Sequence, residues 1–327
     1  MNRLIFPAVI LAVLTMFSSN TYAWNKPGHM VVAAVAYMDL RKDDPATLDK
    51  IIAILRTHPA FSKWKTEYAG LHDLNENGIT LEAYIFMRAA AWPDDVRSPA
   101  NNPDNHPNWH FIDYPITLPD TISFVALKTD ENALVAFGMA ADTLNGSTKF
   151  KNILNKPKSL SWIFHLVGDV HQPLHGASLV DADFPKGDRG GNDVCIKPPD
   201  AAVTNLHSYW DEIVIKDAKT EAVDALHAWQ DANFLSGKFK NAPTGSATGT
   251  AGMEAWSKES AKLALDNVYN FNGAQVNFFK KSTSTCPKIA DNKSVSVEYQ
   301  QNAEEVAQRR MVTAGKRLAK LLSAGMN

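Results

Sequence analysis

Cysteine is nearly absent from this chain: two residues in 327, Cys195 and Cys286, which leaves room for one disulfide at most. Glycine and proline, at 17 each, are near or below average usage, and no linker-like stretch divides the sequence. One large domain is therefore the better reading of the length. An excess of one charge is also missing, with 33 basic against 35 acidic residues and a formal net charge of −2. That balance excludes a protein that holds nucleic acid by a general basic surface, so any anionic substrate must find its positive charge elsewhere. No repeat of fixed period appears, which argues against a solenoid or propeller. From Gly28 to Asn327 no stretch resembles a transmembrane helix. What is present, 45% hydrophobic and 21% charged residues, suits a globular protein with a large buried core.

The first 23 residues read as a secretory signal. Arg3 supplies the positive start, Leu4 to Phe17 form an uncharged apolar run, and Ser18 to Ala23 are mostly small or polar. That run is too short to span a bilayer comfortably. Cleavage after Ala23 would begin the mature chain at Trp24, over residues 24–327, in the periplasm or outside the cell. An exported chain with two cysteines is expected to oxidise them, Cys195 to Cys286, the alternative being two separate buried thiols.

Helical spacing dominates the rest. It is seen at Val31, Ala34, Val35 and Met38, at Leu134, Val135, Phe137 and Ala141, from Leu160 to Val170, and from about Val297 to Leu322. Pro173 follows the third run and ends it. Irregular stretches are expected at Pro99 to Pro107, Asp181 to Asn205 and Gly237 to Gly252, and a short strand near Val194 to Ile196. Asp73, Asn75, Asn77 and Gly78 start like a calcium loop, but the twelfth position is Tyr84 where a bidentate Glu is needed, so the segment reads as a turn.

The densest chemistry lies in HLVGDVHQPLH, residues 165–175. His165 and Asp169 stand four apart on one helix face, and a Gln-Pro-Leu break delivers His175 from beyond it. HSYWD repeats the spacing with His207 and Asp211. Earlier come WNKPGH with His29, WPDDVR with Asp94 and WHFID with His110. One such histidine alone would be an ordinary core or surface residue. Together, nitrogen and oxygen donors with so little sulfur favour zinc over an iron–sulfur site.

The ordered set WNKPGH, WPDDVR, WHFID, HLVGDVHQPLH, GGN and NLHSYWD resembles the tri-zinc, single-strand-specific nuclease and 3′-nucleotidase family, from Trp24 to about Leu322. The resemblance implies a mainly α fold: a single-domain multi-helix bundle with a few short strands, shared with zinc-dependent phospholipase C. It implies three zinc ions. One would sit on Asp94, His110, His165 and Asp169, and a second on His29, Asp169 and the α-amino and carbonyl groups of Trp24. The third would sit on His175, His207 and Asp211. Three protein ligands leave a position open for water or a phosphate oxygen, as catalytic sites require. The implied reaction is attack of a metal-bridging hydroxide on phosphorus, leaving 5′ phosphates on single-stranded DNA and RNA. Arg97 matches an arginine that stabilises the pentacoordinate state, and Asp113 an acid that orients the attacking water and the base. Phe111 matches a stacking ring and Asn192 a base-edge donor.

The rival within the fold is phospholipase C, whose last metal carboxylate is typically Glu where this chain has Asp211. A rival of another class is a non-catalytic zinc-binding exported protein, which would have closed sites.

Overall fold

The computed structural model describes residues 24–199, 201–218, 220–281 and 285–325. The expected leader, residues 1–23, lies outside the described residues. In chain order the helices are α1 (Lys26–Asp43), α2 (Pro45–Leu55), α3 (Phe61–Ala69), α4 (His72–Glu76), α5 (Leu81–Asp95) and α6 (Ala133–Leu144). They continue with α7 (Lys156–Asp169), α8 (Leu206–Glu212), α9 (Glu221–Lys238), α10 (Gly249–Leu263) and α11 (Val297–Gly325). Among the described residues there are also eight short strands: β1 (Tyr114–Thr117), β2 (Thr121–Ile122), β3 (Ala177–Leu179), β4 (Val194–Ile196), β5 (Thr204–Asn205), β6 (Asn270–Phe271), β7 (Ala274–Gln275) and β8 (Phe279–Lys280). The mainly α reading holds. Among the described residues, no helix is long and apolar enough to cross a membrane.

Helix α1 is the axis of the bundle. Asn25 caps it by accepting from Gly28 N, Pro27 fits its first turn, and the run from Met30 to Ala36 is buried on every side. A helix apolar all round must be enclosed, and α1 packs against α5, α7, α9 and α11. A second, smaller core forms around β1, β3, β4 and α8. Strand β1 pairs in parallel with β3, Tyr114 opposite Ala177, and this ladder sets WHFID beside HQPLH, with Ile112 N donating to His175 O at 2.9 Å. Donors from α1, α5 and α7 thus meet donors from the smaller core.

The strand expected at Val194 to Ile196 is β4. Helix α7 begins four residues before the expected Leu160, because Asn155 caps it by accepting from Lys158 N and Pro157 suits its first turn. The irregular stretch expected from Gly237 to Gly252 is shorter, since α9 runs to Lys238 and α10 starts at Gly249. The Asp73–Gly78 segment holds the short α4 and then a turn closed by Gly78 at φ +77°.

Cys195 and Cys286 are bonded, with Cα atoms 5.7 Å apart across 91 residues of chain. Closing a loop of that size stabilises the fold by about 4 to 5 kcal/mol in the chain-entropy account. Replacing both cysteines with serine is expected to remove most of that stability. The check is the free energy from urea titration of the two proteins, and equal values would show that the bond constrains little.

Candidate metal centre

Eight buried side chains from six segments converge on one region. His29 comes from α1, Asp94 from the end of α5, and His165 and Asp169 from α7. His110 ends the 3-10 turn Pro107–His110, His175 ends Pro173–His175, and His207 and Asp211 share a face of α8. Their donor atoms fall into three groups, each within 4.8 Å: His29/His165/Asp169, Asp94/His110/His165 and His175/His207/Asp211.

The separations suit tetrahedral coordination. Donors about 2.0 to 2.1 Å from a zinc ion lie roughly 3.3 Å from one another. His110 Nδ1 is 3.2 Å from Asp169 Oδ2, and His165 Nε2 is 3.3 Å from the same oxygen. His110 Nδ1 and His165 Nε2 are 2.8 Å apart. The other Asp169 oxygen, Oδ1, faces His29 Nε2 at 3.3 Å. One carboxylate therefore addresses two donor sets with its two oxygens. In the third group, His175 Nε2 and His207 Nε2 are 3.1 Å apart, and His207 Nε2 is 3.5 Å from Asp211 Oδ2.

The donor set is also chemically unfinished without a cation. Both ring nitrogens of His29, Nε2 of His110, Oδ2 of Asp94 and both oxygens of Asp169 are buried without a hydrogen-bond partner. Groups of this kind are rarely left so. Burial lowers the proton affinity of His29, His110, His165 and His175, which keeps each imidazole in the neutral form that binds metal. Burial also pushes Asp94 up to about 7 and Asp169 and Asp211 well above the usual carboxylate range. A divalent ion reverses that tendency by supplying the missing charge.

Neighbours fix which nitrogen each ring presents. His165 Nδ1 donates to Ala90 O at 2.8 Å, His207 Nδ1 to Gly190 O at 2.6 Å, and His175 Nδ1 to His110 O. Pro93 removes one ladder bond from α5 beside Asp94, in the same turn as the Ala90 acceptor. Gly168 lets α7 press on α1, since a Cβ there would lie 2.8 Å from His29 Nδ1. Gly190, at φ +60°, has no room for a side chain either, its Cβ position being 2.5 Å from Leu174 O.

Trp24 is fully buried beside this group, and its indole donates to Gly168 O at 3.0 Å. Arg97 Nε lies 2.8 Å from Asp94 Oδ1. A cavity of about 360 Å³ opens over the donors, lined by Arg97, His110, Phe111, Asp113, His175, Asn192 and His207 among others. Asp113 is held at φ +51°, and burial, then the charge of Asp188, pushes its carboxyl up to about 7. Lys128 Nζ stands 5.8 Å over the Phe111 ring, and Asn192 Nδ2 donates to Arg189 O at 2.8 Å.

Sequence reasoning gave no role to Gln172, which donates to Asp211 Oδ1 at 2.7 Å while its own oxygen accepts from Leu174 N. Its only signal was its place inside the histidine motif. His171 of that motif turns away: Nδ1 donates to Val167 O at 2.7 Å, and Nε2 accepts from Arg317 at 3.0 Å.

A helical body with eight inward histidine and aspartate side chains beneath an open cavity is the build of a metal-assisted hydrolase. The chain belongs to the S1/P1 nuclease family, whose profile matches residues 24–327. It is 22% identical to Nuclease S1 of Aspergillus oryzae over 318 residues, covering 95% of this chain and 94% of that one. It is also 22% identical to Endonuclease 4 of Arabidopsis thaliana over 221 residues, where the match spans 63% of this chain and 60% of the relative. Endonuclease 3 of the same plant is 24% identical over 219 residues, 64% of this chain and 60% of that relative.

Proposed function

We propose that the protein is an exported, zinc-dependent nuclease that cleaves single-stranded DNA and RNA to 5′-phosphorylated products and also hydrolyses 3′-nucleotides. The observation that carries this is the meeting of three His/Asp groups beneath one open cavity that also holds Phe111 and Asn192. Zinc ions on these groups would supply Lewis acidity and an activated water at phosphorus. Asp94, His110, His165 and Asp169 would form one site, His29, Asp169 and Trp24 a second, and His175, His207 and Asp211 a third.

The chain's own residues do the rest. The backbone carbonyls of Ala90, His110 and Gly190 hold three imidazoles in register, so no reorganisation is needed when substrate arrives. Arg97 places a positive charge at the cavity floor, where negative charge builds on phosphorus. Asp113 orients the attacking water and a base edge. Phe111 offers a ring on which one unpaired base stacks, and a duplex has no such base to give. Export fits a family match that begins at residue 24, next to the expected cleavage point.

The test is hydrolysis of single-stranded DNA, single-stranded RNA, duplex DNA and phosphatidylcholine by protein starting at Trp24, with chelator and after zinc is restored. Cleavage of single strands, lost with chelator and regained with zinc, is expected. Cleavage of phosphatidylcholine alone would overturn the reading. Phe111→Ala should raise KM for oligonucleotides roughly 5- to 150-fold with a smaller change in kcat, since stacking is worth about 1 to 3 kcal/mol per base. An unchanged KM would make Phe111 only a wall of the cavity.

A further inference from the structure

The chain as a whole is slightly acidic, yet four cationic side chains, Arg97, Lys128, Lys186 and Arg189, line the cavity. Lys128 lines one side, while Lys186 and Arg189 line the part built by the β3–β4 loop. Lys186 also lines an adjoining cleft with Lys280 and Lys281. Asp183 and Asp193 line that cleft as well, but cations outnumber acids in it and Lys186 joins it to the cavity, so a net basic path leaves the metal centre on this side.

Arg189 adds an independent observation. It lies at φ +57° within a loop where Gly187, Gly190 and Gly191 also have positive φ. The left-handed conformation is strained for a non-glycine residue, and glycine would adopt it freely. The arginine side chain is 61% exposed, and its ion-pair partner, Asp193, is 3.5 Å away. An exposed, thinly paired cation on a strained backbone position beside an anion-cleaving site is strain of the kind held for function.

We propose that Arg189, Lys186 and Lys281 form a secondary subsite for the phosphates of a nucleic-acid strand beyond the scissile bond. The enzyme then acts on polynucleotides better, bond for bond, than on the shortest substrate. This rests on the nuclease reading and names the substrate length that suits it. The metals and the Phe111 pocket engage one nucleotide. The basic path engages its neighbours through charge, without reading sequence.

The experiment compares kcat/KM per phosphodiester bond for a dinucleotide and an eight-nucleotide oligothymidylate, at several salt concentrations, in the zinc-loaded protein. The variant is Arg189→Gly with Lys186→Ala and Lys281→Ala. Glycine at 189 relieves the backbone, so the fold should be kept, which thermal unfolding verifies. The wild type is expected to favour the octamer about tenfold or more. The triple variant should lose most of that ratio, and the salt slope for the octamer should shrink by about 2, at roughly 0.7 per single-strand phosphate contact. Arg189→Lys, which keeps the charge, should retain the length advantage. A wild type with no length advantage, or a triple variant that keeps it with the same salt slope, overturns the subsite. Failure of the wild type to cut either substrate would instead overturn the nuclease reading.

Discussion

His165→Ala is expected to lower turnover on single-stranded nucleic acid by about three orders of magnitude with the helical content unchanged. His165 belongs to both donor groups at the base of the cavity, as does Asp169 through its two oxygens. Its Nε2 stands 2.8 Å from His110 Nδ1, 3.3 Å from Asp169 Oδ2 and 3.8 Å from Asp94 Oδ1. Its removal takes a donor from the centre and a second hydrogen bond from the Ala90 carbonyl. One such bond is worth about 1 kcal/mol net, which a bundle of this size should survive. The lost donor is the larger effect. Substituting a residue that only orients a ligand, such as Gln172→Ala beside Asp211, should reduce zinc affinity or activity by about 10- to 100-fold. Zinc per chain, circular dichroism and kcat measured on both variants separate the cases. Near-normal turnover in a His165→Ala protein that carries its full zinc would remove the centre from the mechanism.

Adding one residue before Trp24 in a protein that starts there should abolish most activity without touching any side-chain donor. Trp24 is fully buried, its indole is fixed to Gly168 O at 3.0 Å, and a Cβ on Gly28 would lie 2.8 Å from Trp24 Cβ. Trp24 is therefore held against the first turn of α1, which carries His29. A free α-amino group there, with an unperturbed pKa of about 7.7 to 8.0, gives up its proton to a metal readily. An amide nitrogen in the same place has its lone pair in the peptide resonance and cannot donate. The extended protein should fold, keep the His175/His207/Asp211 ion and lose zinc at the His29 group. Elemental analysis beside the hydrolysis rate is the measurement. Three zinc ions and full activity in the extended form would rule out an amino-terminal ligand. If the expected loss is found, any form of the chain that keeps residues before Trp24 would be inactive.

Much of the centre was legible because metal chemistry restricts residue type. His165 with Asp169, and His207 with Asp211, are four apart, and a helix turns that spacing into a shared face. His29, Asp94 and His110 were legible only as members of an ordered set of motifs, since any one of them alone suits a core equally well. His171 shows the limit. It sits between two donors in sequence, yet at this position the turn after α7 points its ring toward Arg317 of α11. The helix α1 was legible as helical from its spacing, but not as the axis of the bundle, because burial on every side depends on four partners distant in sequence.

By itself the sequence determined the helical class, the two pairs at helical spacing, the strand at Val194 to Ile196 and the absence of a general basic surface. Each follows from residue type and local periodicity, which act over a few positions. Only the tertiary structure decided that Asp169 faces two donor sets with separate oxygens, because that needs α1, α7 and the Pro107–His110 turn together. It also decided which nitrogen each imidazole presents, through carbonyls 17 to 75 residues away. Likewise it gathered Lys128, Lys186 and Arg189 around one cavity in a chain with no excess of positive charge. Contacts between segments so far apart are set by how helices and loops pack, and packing geometry leaves no local pattern in the sequence.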